Sequence, residues 1–379
     1  MANKRKVIII GSAYPLRGGG ISTFNERLAK AYNDNGDEAI IYNFSLQYPS
    51  IFFPGTTQYS KEAPPEGLNI KTRINSINPF NWLIVGKEIR KLKPDLVIVR
   101  FWIPFMAPCL GTICRMIRKK GIKVVAITDN IIPHERKLSD RILANYFVKS
   151  IDYFVTMSRS VFKDLEGFDK EKPKKLTVHP LYDNFGAPIP QVDALDKLGL
   201  SKDNKYLLFF GFIRDYKGLD ILLKAFAESR LQKLNLKLLV VGEFYTDSEP
   251  YTKLIEELGI GENTIMHNEF VPNTEIVNYF SAANLVVQPY KEATQSGITQ
   301  IAYHFNKPMV TTDVGGLSEM VPDGKVGFVT QPNPEDIAQA IFNYFDNNLE
   351  EEFTKNVLIE KKRFSWDTMI KAIDEVSVD

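Results

Sequence analysis

Three loops of this 379-residue chain carry side chains whose types and spacing suit the handling of a phosphate or a sugar. The first runs from Phe209 to Asp220, FFGFIRDYKGLD, directly after an apolar run. Arg214 offers two parallel donors and Lys217 a point charge, so together they could neutralise a diphosphate and stabilise it as a leaving group. Gly218 makes room before the next helix, and charges solvated on a turn are the plainer reading of the same residues. The second loop is Val287–Gln300, VQPYKEATQSGITQ, a strand running into a helix. Thr294 or Ser296 could cap that helix, leaving the N–H groups around Ser296–Ile298 directed at an anion. Glu292 would sit at the sheet edge and Gln300 about a turn into the helix. The third is Gly11–Ser22, GSAYPLRGGGIS, where Gly19 and Gly20 allow the backbone to approach a phosphate or sugar, or simply form a turn. Its spacing is not that of a dinucleotide fingerprint, and the second strand ends at Asn43-Phe44 without the acid that would hold a ribose.

Loops of this kind need a scaffold that ends many strands at one edge. Short β-rich apolar runs alternate with segments of helical period along the whole chain, the pattern of parallel sheets covered by helices. Strands are expected at Lys6–Gly11, Glu38–Phe44, Leu96–Arg100, Val124–Thr128 and Tyr153–Thr156. The rhythm resumes at Tyr206–Phe210, Leu236–Val241, Thr264–His267, Leu285–Gln288, Pro308–Thr311 and Gly327–Val329. Between the two groups, Pro180 to Gln191 combines Pro and Gly with little period and marks a boundary. Residues 49–81 read as a long insertion, either over a ligand cleft or as a surface excursion.

Composition is that of a globular protein, with 44% apolar and 25% charged residues. A formal charge of +1 disfavours a nucleic-acid coat. The charge is unevenly spread: residues 1–190 hold 29 basic and 17 acidic side chains, net +12, and the remainder is net −11. A basic N-terminal half would face a phosphate-bearing acceptor or an anionic lipid surface, unless the asymmetry is one of solvated faces alone. Cys109 and Cys114 suit neither a disulfide framework nor a metal site, which points to a reduced, cytoplasmic setting. The longest apolar stretch, Phe101 to Cys114, is too short to cross a bilayer. It reads as a loop and helix packed on the sheet, or as an interfacial contact leading into Arg115, Arg118, Lys119 and Lys120.

The joint order of the three loops resembles a retaining glycosyltransferase of family four. The resemblance is carried by RGGGIS at Arg17–Ser22, by FFGFIRDYKGLDILLKAF up to Phe226, and by PYKEATQSGITQIAYHFNKPMVTTDVGGLSEMVPDGKVGFV over Pro289–Val329. It implies the α/β GT-B fold, two Rossmann-like doubly wound parallel-sheet domains facing across a cleft. The implied division is an acceptor-binding domain over residues 1–185, a nucleotide-sugar-binding domain over 186–355, and a C-terminal helix in 356–379 packing back on the first. It further implies that Gly19 and Gly20 approach the donor, that Arg214 and Lys217 grip the diphosphate, and that Glu292 orients the sugar. Ser296 and Gly297 would give N–H groups to a phosphate, and the stretch around Val271 would hold the base.

Two positions depart from the family pattern. Gln300 stands where the second Glu of the Glu-x-seven-Glu motif normally holds the ribose, although an amide retains an acceptor. Asp129 takes the place of a His near the reacting sugar, with His134 a second candidate in the same loop. The resemblance implies transfer from a nucleotide diphosphate sugar to a hydroxyl of a glycan or lipid-linked acceptor in cell-surface polysaccharide synthesis, with no metal and no cofactor besides the donor. The setting would be cytoplasmic, with peripheral contact at an anionic membrane face. A catalytically degenerate nucleotide-sugar-binding partner is the non-enzyme alternative; a phosphorylase and a nicotinamide dehydrogenase fit less well.

Overall fold

Continuous runs of Val, Ile, Leu and Phe cannot face water on either side, so they are stable only as central strands covered by helices on both faces. The computed structural model describes residues 4–17, 19–49, 57–132 and 138–378, and places such runs at the centre of two parallel sheets. The first contains β1 (Lys6–Ile10), β2 (Glu38–Leu46), β3 (Asn69–Asn75), β4 (Leu96–Phe101), β5 (Lys123–Thr128), β6 (Tyr153–Thr156) and β7 (Lys174–Leu176). Their order is β3-β2-β1-β4-β5-β6-β7. The second contains β8 (Lys205–Phe210), β9 (Leu236–Val241), β10 (Thr264–His267), β11 (Leu285–Gln288), β12 (Met309–Thr312) and β13 (Gly327–Thr330) in the order β10-β9-β8-β11-β12-β13. Strand order reverses between β1 and β4 and again between β8 and β11. Ligands of open α/β sheets bind beyond the carboxyl ends of strands at such a reversal.

The chain divides into two units, residues 1–180 with Ser365–Asp379, and Leu181–Phe364. The helix Glu350–Glu360 and the short turn to Phe364 stay with the second unit, where Phe353 is buried in its core. The last helix, Trp366–Ser377, belongs to the first. There its Trp366 ring meets Phe24 at 5.0 Å and the Arg27 guanidinium at 5.2 Å, and Asp374 pairs with Arg5 at 2.9 Å. Ser365 caps it by accepting from the Thr368 N–H.

One sequence expectation is corrected and another is narrowed. The stretch 49–81 is not one long insertion: β3 pairs in parallel with β2 inside it, and the helix Pro79–Lys91 starts before its end. An edge strand reading NIKTRIN carries no apolar run, because only Ile74 is fully covered. The segment Phe101–Cys114 follows the first of its two readings, a loop and helix packed on the sheet. Phe101 ends β4, and Cys109, Leu110, Ile113, Cys114 and Ile117 of the helix Ala107–Arg118 are buried in the core. Burial pushes both thiols up, away from thiolate chemistry.

Candidate functional site

In the second unit the loops after β8 and β11 meet at the strand-order reversal. A Cβ on Gly218 (φ +69°) would lie 1.9 Å from the Pro289 carbonyl oxygen, so only glycine permits this approach. Lys291 seals the junction: its N–H donates to the Tyr216 carbonyl at 2.7 Å, and its Nζ reaches Asp215 at 2.8 Å and Asp220 at 3.0 Å.

Inside this clamp lies Lys217, 8% exposed. It closes the short turn Asp215–Lys217 by donating its N–H to the Arg214 carbonyl. Its Nζ sits over the backbone of Gly211, where an added Cβ would come within 2.8 Å, and 5.5 Å from the centre of the Tyr290 ring. No carboxylate within the described residues lies in ion-pair reach of it. Burial, and secondarily the charge of Arg214, push the ammonium down to about 7. A buried cation with no partner is costly unless an anion arrives. Arg214 is exposed beside it, its guanidinium 4.9 Å over the Tyr245 ring. Tyr245 in turn contacts Phe212 at 4.5 Å, and Phe212 stacks on Phe270 at 6.2 Å. Val271 is buried next in sequence.

Ser296 takes the N-cap position of the helix Gly297–His304, but its side chain does not cap. Its Oγ donates to Gln288 Oε1 at 2.7 Å, an oxygen that also accepts from Thr299 Oγ1 at 3.0 Å. The first turn of that helix thus has neither a side-chain cap nor an acidic residue, and its N–H groups keep their affinity for an anion. Gly297 is required because a Cβ there would meet the Tyr182 ring at 2.6 Å. Gln300 is completely buried; its Nε2 donates to Met320 Sδ, and its Oε1 has no partner among the described residues. Glu292 is exposed in the loop between β11 and the helix.

In the first unit, Gly19 holds extended backbone at the N-cap of the helix Gly20–Asp34, which has no side-chain cap and no acid in its first turn. Ser22 Oγ donates to the Arg17 carbonyl at 3.0 Å. Asp129, past the end of β5, is not a free carboxylate. Arg100 at the end of β4 donates to both its oxygens at 2.6 Å. That guanidinium is 2% exposed and stacks 3.7 Å over Phe24, and its Nη1 has no partner among the described residues. His179 meets the same Phe24 ring edge-on, with Nδ1–H donating to the Pro180 carbonyl. Burial and the Arg100 charge push it down to about 3, so it is neutral. His134 lies outside the described residues.

The sequence reading did not single out Arg100, Gln288 or Gly211. A lone Arg in the apolar run LVIVRF was the available signal for the first. Within the described residues, no group of three or more His, Cys, Asp or Glu gathers as a metal site.

Residues 192–361 match the family model described as glycosyl transferases group 1, and residues 18–181 match glycosyltransferase family 4. A D-inositol 3-phosphate glycosyltransferase from Thermobifida fusca is 27% identical over 85% of this chain and 80% of its own length. The lipopolysaccharide 1,2-N-acetylglucosaminetransferase of Salmonella typhimurium is 27% identical over 49% of this chain, about half (51%) of its own length. In structure, HepE of Anabaena in complex with UDP and glucose superposes with a TM-score of 0.72 over 98% of each chain, at 18% identity, a likeness of fold.

Proposed function

Because the chain belongs to glycosyltransferase family four, with a group 1 second half, we propose that it moves a sugar from a nucleotide diphosphate sugar to a hydroxyl of a glycan or lipid-linked acceptor, with retention of anomeric configuration. The observation that carries this reading is the ammonium of Lys217, without a carboxylate partner among the described residues and buried beside Arg214 and an uncapped helix start at the reversal of strand order.

A diphosphate bound there would receive charge from Lys217 and Arg214 and hydrogen bonds from the N–H groups near Ser296 and Gly297. In the reaction the bond from the anomeric carbon to the diphosphate breaks and a bond to the acceptor oxygen forms on the same face of the ring. The acceptor's proton passes to the departing diphosphate oxygen. Negative charge grows on the diphosphate as that bond breaks, so pre-placed cations stabilise the transition state more than the ground state. Glu292, in the same loop, would orient the sugar. The base would lie along the segment holding Val271, near the aromatic cluster of Phe212, Tyr245 and Phe270.

The acceptor is assigned to the first unit, whose basic character suits a phosphate-bearing or lipid-linked glycan. The relative named for lipopolysaccharide supports a role in cell-surface polysaccharide synthesis, and the relative named for an inositol phosphate supports only a phosphate-bearing hydroxyl acceptor.

A panel of UDP-, GDP-, ADP- and dTDP-sugars tests the donor class by thermal shift. One nucleotide should stabilise the protein saturably, and the Arg214→Ala, Lys217→Ala double variant should lose the effect. No response from any nucleotide in folded protein would contradict the donor site, whereas a nucleotide response without donor turnover in the presence of lipid-linked acceptors would favour the degenerate nucleotide-sugar-binding partner. Gln300 supplies a finer check: its Oε1, buried and without a partner among the described residues, would have to turn toward a bound ribose to accept from a hydroxyl. Gln300→Ala should weaken ribonucleoside diphosphates about tenfold, the worth of one hydrogen bond in a dry site. A 2′,3′-dideoxy analogue should bind wild type and variant alike; equal binding of the ribonucleotide as well would remove Gln300 from the ribose contact.

A further inference from the structure

The described residues contain no helix long and apolar enough to cross a membrane, yet one helix exposes apolar side chains where water should be. The helix Pro79–Lys91 buries Val85, Gly86 and Ile89 toward the first unit's core. Its opposite face carries Phe80, Ile84, Lys87 and Lys91, spaced four, three and four residues apart, so that they line one stripe. Phe80 is 79% exposed and Ile84 63%, with Leu83 and the preceding Ile77 exposed alongside. The outward stripe of a helix in water is ordinarily polar throughout. This one changes from apolar in its first turns to cationic in its last.

The exposure is not that of a frayed end. Asn78 caps the helix by accepting from the N–H groups of Phe80 and Asn81, and Trp82 Nε1 donates to the Asn75 carbonyl at 2.7 Å. The surrounding charge is one-sided. Residues 69–93 contain six basic side chains and a single acid, Glu88. That acid is engaged: Tyr42 donates to it at 3.0 Å and Arg73 lies 3.7 Å away. A second copy docked on this face would set its cations against one another, whereas apolar tips rimmed by Lys and Arg match acyl chains beneath anionic headgroups.

We propose that the helix Pro79–Lys91, with Ile77, is the surface through which this chain rests on a bilayer of anionic lipid. The proposal deepens the lipid-linked reading of the acceptor and rests on it, because a bilayer-bound enzyme meets such an acceptor in two dimensions. Phe80, Ile84, Leu83 and Ile77 would enter the boundary below the headgroups, and Lys87 and Lys91 would lie among the phosphates.

The test is co-sedimentation of the full chain with vesicles of phosphatidylcholine alone and of phosphatidylcholine with phosphatidylglycerol. Wild type should bind only the anionic vesicles, and less as salt is raised. Phe80→Ser with Ile84→Ser should weaken binding about tenfold or more at any salt. Lys87→Glu with Lys91→Glu should abolish it chiefly at low salt. All these positions are exposed, and a thermal melt confirms folding of each variant. The nucleotide-induced thermal shift, measured in parallel, should be the same in all of them. No binding by wild type, or equal binding by every variant, overturns the proposal, while a retained nucleotide shift leaves the transferase reading standing. A concentration-dependent dimer abolished by Phe80→Ser with Ile84→Ser, without vesicle binding, overturns it in favour of self-association.

Discussion

Replacing Lys217 by Met is expected to lower turnover by a hundredfold or more while raising the stability of the ligand-free protein. The loss follows from removing one pre-placed cation from the departing diphosphate, an effect typically worth a factor of about 10²–10³ in kcat. The gain follows from burial. Lys217 has no carboxylate partner among the described residues and is held down to about 7 from an ordinary 10.5, so folding disfavours its charged form. Between those values the unfolded chain binds more protons than the folded one, and stability rises with pH. The stability is complete above the ordinary lysine value and is lost as pH falls toward 7. Met fills similar space with no charge to desolvate. It should raise the ligand-free Tm at neutral pH by a few degrees, at roughly 2–4 °C per kcal/mol for a domain of this size. Calorimetry across pH checks both parts: the wild-type Tm should climb from neutral to alkaline pH more steeply than the variant's, in which buried Lys307, pushed down to about 8, still contributes a rise. A Lys217→Met protein less stable than wild type at neutral pH would mean that the ammonium has a compensating partner.

The second large effect concerns Arg100 and Asp129. Arg100→Met should destabilise the first unit by about 3 kcal/mol or more, because breaking one side of a buried pair leaves a carboxylate without its counter-charge. Asp129→Leu should cost a similar amount, leaving the guanidinium over Phe24 unneutralised. The double variant Arg100→Met, Asp129→Leu should recover most of the loss, since replacing both partners by apolar groups is often nearly neutral. Urea unfolding of the four proteins gives the coupling energy directly. Simple additivity of the two single losses would show that the pair is not a unit. The nucleotide-induced thermal shift should survive in all four, since the diphosphate is assigned to residues 181–364. The pair also limits what Asp129 can do: both oxygens already accept from Arg100, so any bond from a sugar hydroxyl must use their remaining lone pairs.

Most of the architecture was legible because central parallel strands are apolar without alternation. Leu236–Val241, Tyr153–Thr156 and Leu285–Gln288 stand at their expected bounds for that reason. The edge strands β3 and β7 escaped because NIKTRIN and KKL carry the charged and polar residues that protect an edge, and periodicity cannot distinguish these from loop. The start of the helix at Pro79 was signalled by Asn78 and Pro79 as cap and first residue, a cue outweighed by the Pro- and Asn-rich stretch before it. The cations of the second unit were readable because Arg214 and Lys217 follow a strand directly. Arg100 was not, since its role comes from β4 lying beside β5, which sets it next to Asp129 across 29 residues. The helix cap illustrates the same limit: Ser296 occupies the capping position, but its hydroxyl turns to Gln288, a choice made by packing between β11 and the helix.

Lys217 as the diphosphate site is tested most directly by isothermal titration of the protein with the nucleoside diphosphate selected by the thermal-shift panel. The titration is run about one pH unit above the Lys217 value of about 7, in two buffers of different ionisation enthalpy. One-site binding with uptake of close to one proton, lost in folded Lys217→Met, is the predicted result, because the bound diphosphate restores the ammonium. Binding that takes up no proton and is unchanged in the variant would contradict the account.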